Sequence, residues 1–431
     1  MRSGWLKGTV AVAGGLALLP MAGLALAQGT AFSTAERGHY LATAGDCAAC
    51  HTADGGKPYA GGRPVPTPFG TIYSTNITPD PDTGIGKWTE ADFYRAMHQG
   101  LDDEGNHLYP AFPYPSYTKI GADDVRALKA YLDTLPAVKQ ENKPPELPWP
   151  LSMRVVMSGW NTLYFHEGTY ATDPNKSAQW NRGAYLVEGL GHCGACHTPR
   201  NFLGASKKDD RLEGGYGEHW YAMNLTGDLR DGLGAWSSQD IVEYLKTGSN
   251  TKAAAAGPMA EVVRNSTQHL SDGDLVAIAT YLKDIPADQS TREDKTVKVD
   301  DKVASHGAAL YLDNCAGCHM NNGEGLANVF PPLKADAAVQ AGEPATILHA
   351  IIGGANVVAT RAKPTGLAMP AFGWKLSDEE IADLATYIRN AWGNRASVVS
   401  TDQVADARKE ITQSVSQSGP PSGSQSQSAS K

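Results

Sequence analysis

The chain has 431 residues, 41% of them apolar and 19% charged, with a formal net charge of −9 at pH 7. A chain this acidic is excluded from binding nucleic acid or anionic lipid by bulk electrostatics, and no nucleic-acid partner is expected. The length exceeds what one compact core supports and suits three domains of ordinary small size.

The N-terminus reads as an export signal. Arg2 and Lys7 precede an apolar run from Val10 to Leu26 that ends in Ala25-Leu26-Ala27 before Gln28. That layout predicts a signal peptide over residues 1–27, cut after Ala27. Gly14, Gly15, Pro20 and Gly23 interrupt the run and leave it short for a retained anchor. Cleavage takes the charge to about −11 and delivers the chain to the periplasmic side of a bacterial inner membrane. No later run of about 20 apolar residues follows, so membrane attachment is expected to be peripheral or through a partner.

All six cysteines fall in three copies of one motif: Cys47-Ala48-Ala49-Cys50-His51, Cys193-Gly194-Ala195-Cys196-His197 and Cys315-Ala316-Gly317-Cys318-His319. Two thiols at this spacing each form a thioether to a porphyrin vinyl group, and the adjacent histidine presents its imidazole to the iron. A zinc site would not need a histidine after every second cysteine. The motifs therefore predict three covalently bound haem c groups, with Cys47, Cys50, Cys193, Cys196, Cys315 and Cys318 as attachment points and His51, His197 and His319 as proximal ligands.

Each motif sits in a repeated plan. A short amphipathic helix carries a glycine eight to ten residues before the first cysteine, at Gly38, Gly183 and Gly307. A second helical pattern closes each unit, Asp124 to Leu132, Asp274 to Leu282 and Glu380 to Ile388, with a terminal Tyr-Leu or Tyr-Ile pair. Glycine on one helix and an aromatic on the other let the two cross closely, a hallmark of class I cytochrome c domains, which these units resemble. The expected fold is all-α, with domains at 30–137, 176–287 and 303–394. The 138–175 linker contains Trp160, Tyr164 and Phe165 and is expected to pack on a neighbouring domain, whereas 288–302 is charged and aperiodic. Residues 395–431 are rich in Ser and Gln and are expected to form a largely disordered tail, fully so after about residue 413.

Such a haem takes a distal ligand, usually a methionine sulfur, from a loop before the last helix. Met369, in Leu367-Ala368-Met369-Pro370-Ala371-Phe372, fits this in the third unit, and Met259 after Gly257-Pro258 fits in the second, with Met223 as the alternative sulfur. The first unit reads Leu108-Tyr109-Pro110-Ala111-Phe112-Pro113-Tyr114 and has no methionine there. Its candidates are Met97, His98, His107 or an open position, with Met97 preferred. The outer N–H of each proximal imidazole needs a carbonyl. Pro331-Pro332-Leu333 is assigned to that place in the third unit and Pro68-Phe69-Gly70 in the first, with no assignment in the second. His166, His219 and His349 are expected to be scattered surface or packing residues.

With these residues in view the chain resembles the three-haem cytochrome c subunit of membrane-bound periplasmic dehydrogenases, the family of the alcohol dehydrogenase cytochrome subunit. The resemblance rests on Gly45-Asp46-Cys47-Ala48-Ala49-Cys50-His51-Thr52, Tyr73-Ser74-Thr75-Asn76-Ile77-Thr78-Pro79-Asp80, Leu108 to Tyr114, Gly191-His192-Cys193 through Pro199-Arg200, and Phe330-Pro331-Pro332-Leu333. Many relatives have a methionine where Phe112 stands. The resemblance implies that a separate catalytic subunit, of quinoprotein, flavoprotein or molybdopterin type, oxidises an alcohol, aldehyde or sugar acid, and that this chain carries electrons to ubiquinone. No dinucleotide fingerprint and no nucleophile constellation is found, so no substrate site of its own is expected. The rival readings are a haem peroxidase, and a cytochrome subunit of a terminal oxidase or a free periplasmic carrier.

Overall fold

The computed structural model describes residues 33–287 and 297–418. The signal peptide, part of the 288–302 linker and the last thirteen residues of the tail, 419–431, lie outside them.

The first unit runs α1 (33–44), α2 (Cys47–Cys50), the hairpin β1 (Pro64–Thr67) and β2 (Gly70–Tyr73), then α3 (Glu90–Gln99), α4 (Tyr114–Tyr117) and α5 (Ala122–Leu132). Helix α6 (Val156–Tyr164) follows in the linker. The second unit runs α7 (Ala178–Tyr185), a π-helical turn over Leu186–Leu190, α8 (Gly194–His197), β3 (Gly215–Gly217), β4 (Trp220–Ala222), α9 (Ser238–Thr247), α10 (Gly257–Asn265) and α11 (Asp272–Lys283). The third runs α12 (Asp301–Asn314), α13 (Ala316–His319), α14 (Ala337–Gln340), α15 (Ala345–Gly353), β5 (Ala355–Asn356), β6 (Ala368–Met369), α16 (Asp378–Asn390) and α17 (Thr401–Ser418).

One crossing recurs in all three units, α1 on α5, α7 on α11 and α12 on α16. A Cβ at Gly38 would lie 1.9 Å from the Ala127 carbonyl oxygen, one at Gly183 2.0 Å from that of Ala277, and one at Gly307 2.4 Å from that of Asp383. Only glycine admits so close an approach. The aromatic on the second helix completes it, because the same added carbons would meet the Cβ of Tyr131, Tyr281 and Tyr387. Helices α3, α9 and α16 begin on capping boxes, Thr89 with Asp92, Ser237 with Asp240 and Ser377 with Glu380. Helices α3 and α9 both end at a left-handed glycine, Gly100 at φ 64° and Gly248 at φ 79°.

Units one and two interlock by a reciprocal exchange. Tyr40 donates to Asp274 at 2.6 Å, and Asp274 also pairs with Arg182 of its own unit. Tyr185 returns a bond of the same length to Asp124, which pairs with Arg37. The linker is bound to both: Tyr109 donates to the Leu151 carbonyl, Tyr114 to Asn161, and Trp160 to the Leu203 carbonyl. Unit three leans on unit two through Thr346 to the Tyr221 carbonyl and Val358 packed with Ala255, Ala260 and Val263.

Two expectations need correction. The fold is not purely α: three two-stranded antiparallel sheets, β1–β2, β3–β4 and β5–β6, interrupt it. Strands of two to four residues are too short to leave an alternating pattern in the sequence. The predicted tail is also partly folded. Val404 and Ala407 of α17 are buried in the third core, and Arg408 binds Asp378 and the carbonyls of Gly373 and Leu376. Before that helix the fully buried Arg389 holds the Ser397 carbonyl. The few apolar residues among many Ser and Gln lie on one helix face, which a compositional reading averages away. No helix among the described residues is long and apolar enough to cross a membrane.

Candidate functional site

In each unit a short helix carries the CxxCH motif, and its histidine is held in one pose. His51 Nδ1 lies 2.6 Å from the Thr75 carbonyl oxygen, His197 Nδ1 2.7 Å from that of Met223, and His319 Nδ1 2.9 Å from that of Pro331. Burial pushes all three imidazoles down, opposed by those bonds, so each is neutral with its proton on Nδ1. The Nε2 lone pair is left to face a metal, which is the arrangement a haem iron needs.

The thiols fit the same group. None of the six cysteines is in a disulfide, and burial pushes Cys47 and Cys193 up to about 12 and Cys315 up to about 11. A pKa raised by burial disfavours the thiolates a zinc site uses. Gly217 serves as a cradle for one of them, since a Cβ there would sit 2.7 Å from Cys196 Sγ.

The carbonyl acceptors match the sequence expectation only in part. Pro331 holds His319, but Pro68-Phe69-Gly70 does not hold His51: Pro68 and Phe69 form the turn between β1 and β2, and the acceptor is Thr75 beyond the hairpin. In the second unit the acceptor is the Met223 carbonyl. A backbone carbonyl carries no side-chain signal, so neither could be read from residue type.

One hydrogen bond recurs in the loops that follow α3 and α9. The Leu108 N–H donates to the Gly100 carbonyl, and the Ala255 N–H to that of Gly248, both at 2.7 Å. Counting four residues on from each reaches Phe112 in unit one and Met259 in unit two. Met97 stands three residues before Gly100, where unit two has Leu245 before Gly248, and is buried in the apolar cluster that includes Phe93, Cys47, Ala48 and Phe112. His98 is buried too, its imidazole pushed down by burial and bonded to the Ile120 backbone. His107 Nδ1 is turned to Asn161 of the linker at 3.3 Å. Met369 ends β6, paired with Ala355.

Other polar groups gather near the motifs. Arg63 and Arg200 each donate to a carbonyl inside a CxxC loop, Ala49 and Ala195. Asp46 and His192, which precede the first cysteines of units one and two, each keep one buried polar atom without a protein partner. His219 and His349 are not scattered: both face Glu410 of α17, at 3.5 and 3.2 Å.

The cytochrome c family model matches residues 35–136 and 304–392. The chain is 43% identical to the gluconate 2-dehydrogenase cytochrome c subunit of Pantoea cypripedii, over 88% of this chain and 90% of that one. It is 41% identical to the cytochrome c subunit of the quinone-dependent alcohol dehydrogenase of Gluconobacter oxydans (strain 621H), over 92% and 85%. Identity to the fructose dehydrogenase cytochrome subunit of Gluconobacter japonicus is 39%, over 86% and 82%.

Proposed function

Since the chain belongs to the family of dehydrogenase cytochrome c subunits, we propose that it is the three-haem electron-transfer subunit of a membrane-associated alcohol or aldehyde dehydrogenase. It takes electrons from a separate catalytic subunit and passes them to ubiquinone. The observation that carries this reading is the threefold recurrence of a CxxCH helix whose histidine is locked by a backbone carbonyl. It recurs in the middle unit, which the family model leaves unmatched, and supports three tandem class I cytochrome c domains at 30–137, 176–287 and 303–394, each with one haem c.

A bound haem c supplies a one-electron iron couple. The chain's residues do the rest. Cys47 and Cys50, Cys193 and Cys196, and Cys315 and Cys318 fix the macrocycles; His51, His197 and His319 bind from the proximal side; Met259 and Met369 offer distal sulfurs. In unit one the sulfur has moved from loop to helix. Phe112 takes the place of Met259, and Met97 takes that of Leu245, which supports Met97 as the first distal ligand. Residues 1–27 would export the chain to the periplasmic face, where it attaches peripherally.

The gluconate 2-dehydrogenase relative is as similar as the alcohol dehydrogenase one, which favours a sugar-acid donor as the second reading. The test is to isolate the chain with its partners from detergent-solubilised membranes and add ethanol, acetaldehyde, gluconate and fructose separately. Rapid haem reduction by ethanol or acetaldehyde is expected. Reduction by gluconate or fructose alone would move the donor to the second reading, and a chain purified without a large partner would overturn the subunit assignment.

A further inference from the structure

One guanidinium joins the first two motif regions. Arg63 Nη1 donates to the Ala49 carbonyl, between Cys47 and Cys50, at 2.8 Å, and to Glu261 Oε1 at 2.6 Å. Its Nη2 donates to Glu261 Oε2 at 2.9 Å and to Glu218 at 3.2 Å. Both carboxylates belong to unit two. Glu261 is on α10, two residues past Met259, and Glu218 follows Gly217, the residue pressed against Cys196 Sγ. The Arg63 side chain is only 19% exposed, and its carboxylate partners hold its pKa above the usual arginine value. The planar fork binds Glu261 through two nitrogens, a geometry a lysine cannot copy.

We propose that Arg63 is a positioning residue for electron exchange between the first and second haems, tying the two attachment regions together and setting their potentials through its charge. The proposal rests on the haem reading above. Exchange between the two sites moves one electron, oxidising one iron and reducing the other, and needs no proton or co-reactant. A fixed cation beside a haem disfavours the ferric state, which carries one more positive charge, and a fixed carboxylate favours it. None of the groups bonded to Arg63 comes from unit three, so the third site is an internal control.

The experiment is a spectroscopic redox titration of the purified full chain carrying Arg63→Gln, Arg63→Lys or Glu261→Gln, after a pyridine haemochrome count. R63Q is expected to lower the first and second potentials, shifting the ferrous-to-ferric ratio at a fixed potential about tenfold, or about 59 mV for one electron. E261Q is expected to raise them, and R63K to restore most of the potential lost in R63Q. The third potential stays constant throughout. Opposite signs from two variants that break the same ion pair separate tuning from simple loosening. Unchanged potentials in a protein with all its haems would overturn the proposal alone, whereas a low haem count in the unmodified chain would overturn the haem reading on which it rests.

Discussion

At the scale of single residues, the first distal ligand is the sharpest point. If Met97 supplies the sulfur, Met97→Ala leaves one of three haems without a sixth protein ligand. That haem becomes high-spin in the ferric state and binds carbon monoxide when reduced, at one equivalent per chain. The check is the ferric spin state by electron paramagnetic resonance together with carbon monoxide titration; an unaltered low-spin spectrum would return the ligand to His98 or His107. A second residue gives a pH signature. Burial pushes Asp336 up to about 6 from 3.8, against the backbone N–H groups that its carboxylate caps at the start of α14. A folded-state pKa above the unfolded one means that this contribution is fully present below pH 3.8 and is lost as pH rises through about 6. The loss is at most about 3 kcal/mol. Asp336→Asn keeps a capping oxygen without the charge, so the decline in melting temperature between about pH 4 and 6 should flatten in thermal scans; an unchanged decline would assign it to other groups.

At the scale of elements, the helix crossing is legible in the sequence. Gly38, Gly183 and Gly307 at fixed distances from their cysteines, with Tyr131, Tyr281 and Tyr387 on the closing helices, announce a contact that leaves no room for a Cβ. Gly183→Leu should therefore destabilise the second unit by at least roughly 1–3 kcal/mol. Gly273→Ala is the control, since an added carbon there meets only the Ser271 hydroxyl at 3.8 Å. Chemical unfolding followed by tryptophan fluorescence decides it, and equal losses in the two variants would contradict the close-packed crossing. The cysteines and histidines of the motifs are legible for the same reason: their chemistry is in the side chain and their spacing is local. What is not legible depends on backbone or on distant partners. Thr75 and Met223 act through carbonyls. The short β1–β2, β3–β4 and β5–β6 hairpins carry no periodic signal. Helix α17 hides Val404, Ala407 and Ile411 among Ser and Gln, and its role emerges only where those residues meet the third core and Glu410 meets two histidines.

At the scale of the whole molecule, the units are linked in series. The reciprocal Tyr40–Asp274 and Tyr185–Asp124 bonds join the first to the second, Arg63 spans their motif regions, and Val358 and Thr346 seat the third on the second. The second unit is thus in contact with both of the others. Each CxxCH helix is proposed to hold one redox-active haem, giving three one-electron centres in one chain. An anaerobic coulometric titration of the purified chain, followed in the haem absorption bands, tests this most directly. Uptake of three electrons per chain is expected, with every cysteine inaccessible to alkylation after unfolding. Two electrons or fewer, with an alkylatable pair at Cys193 and Cys196 or at either other motif, would contradict it.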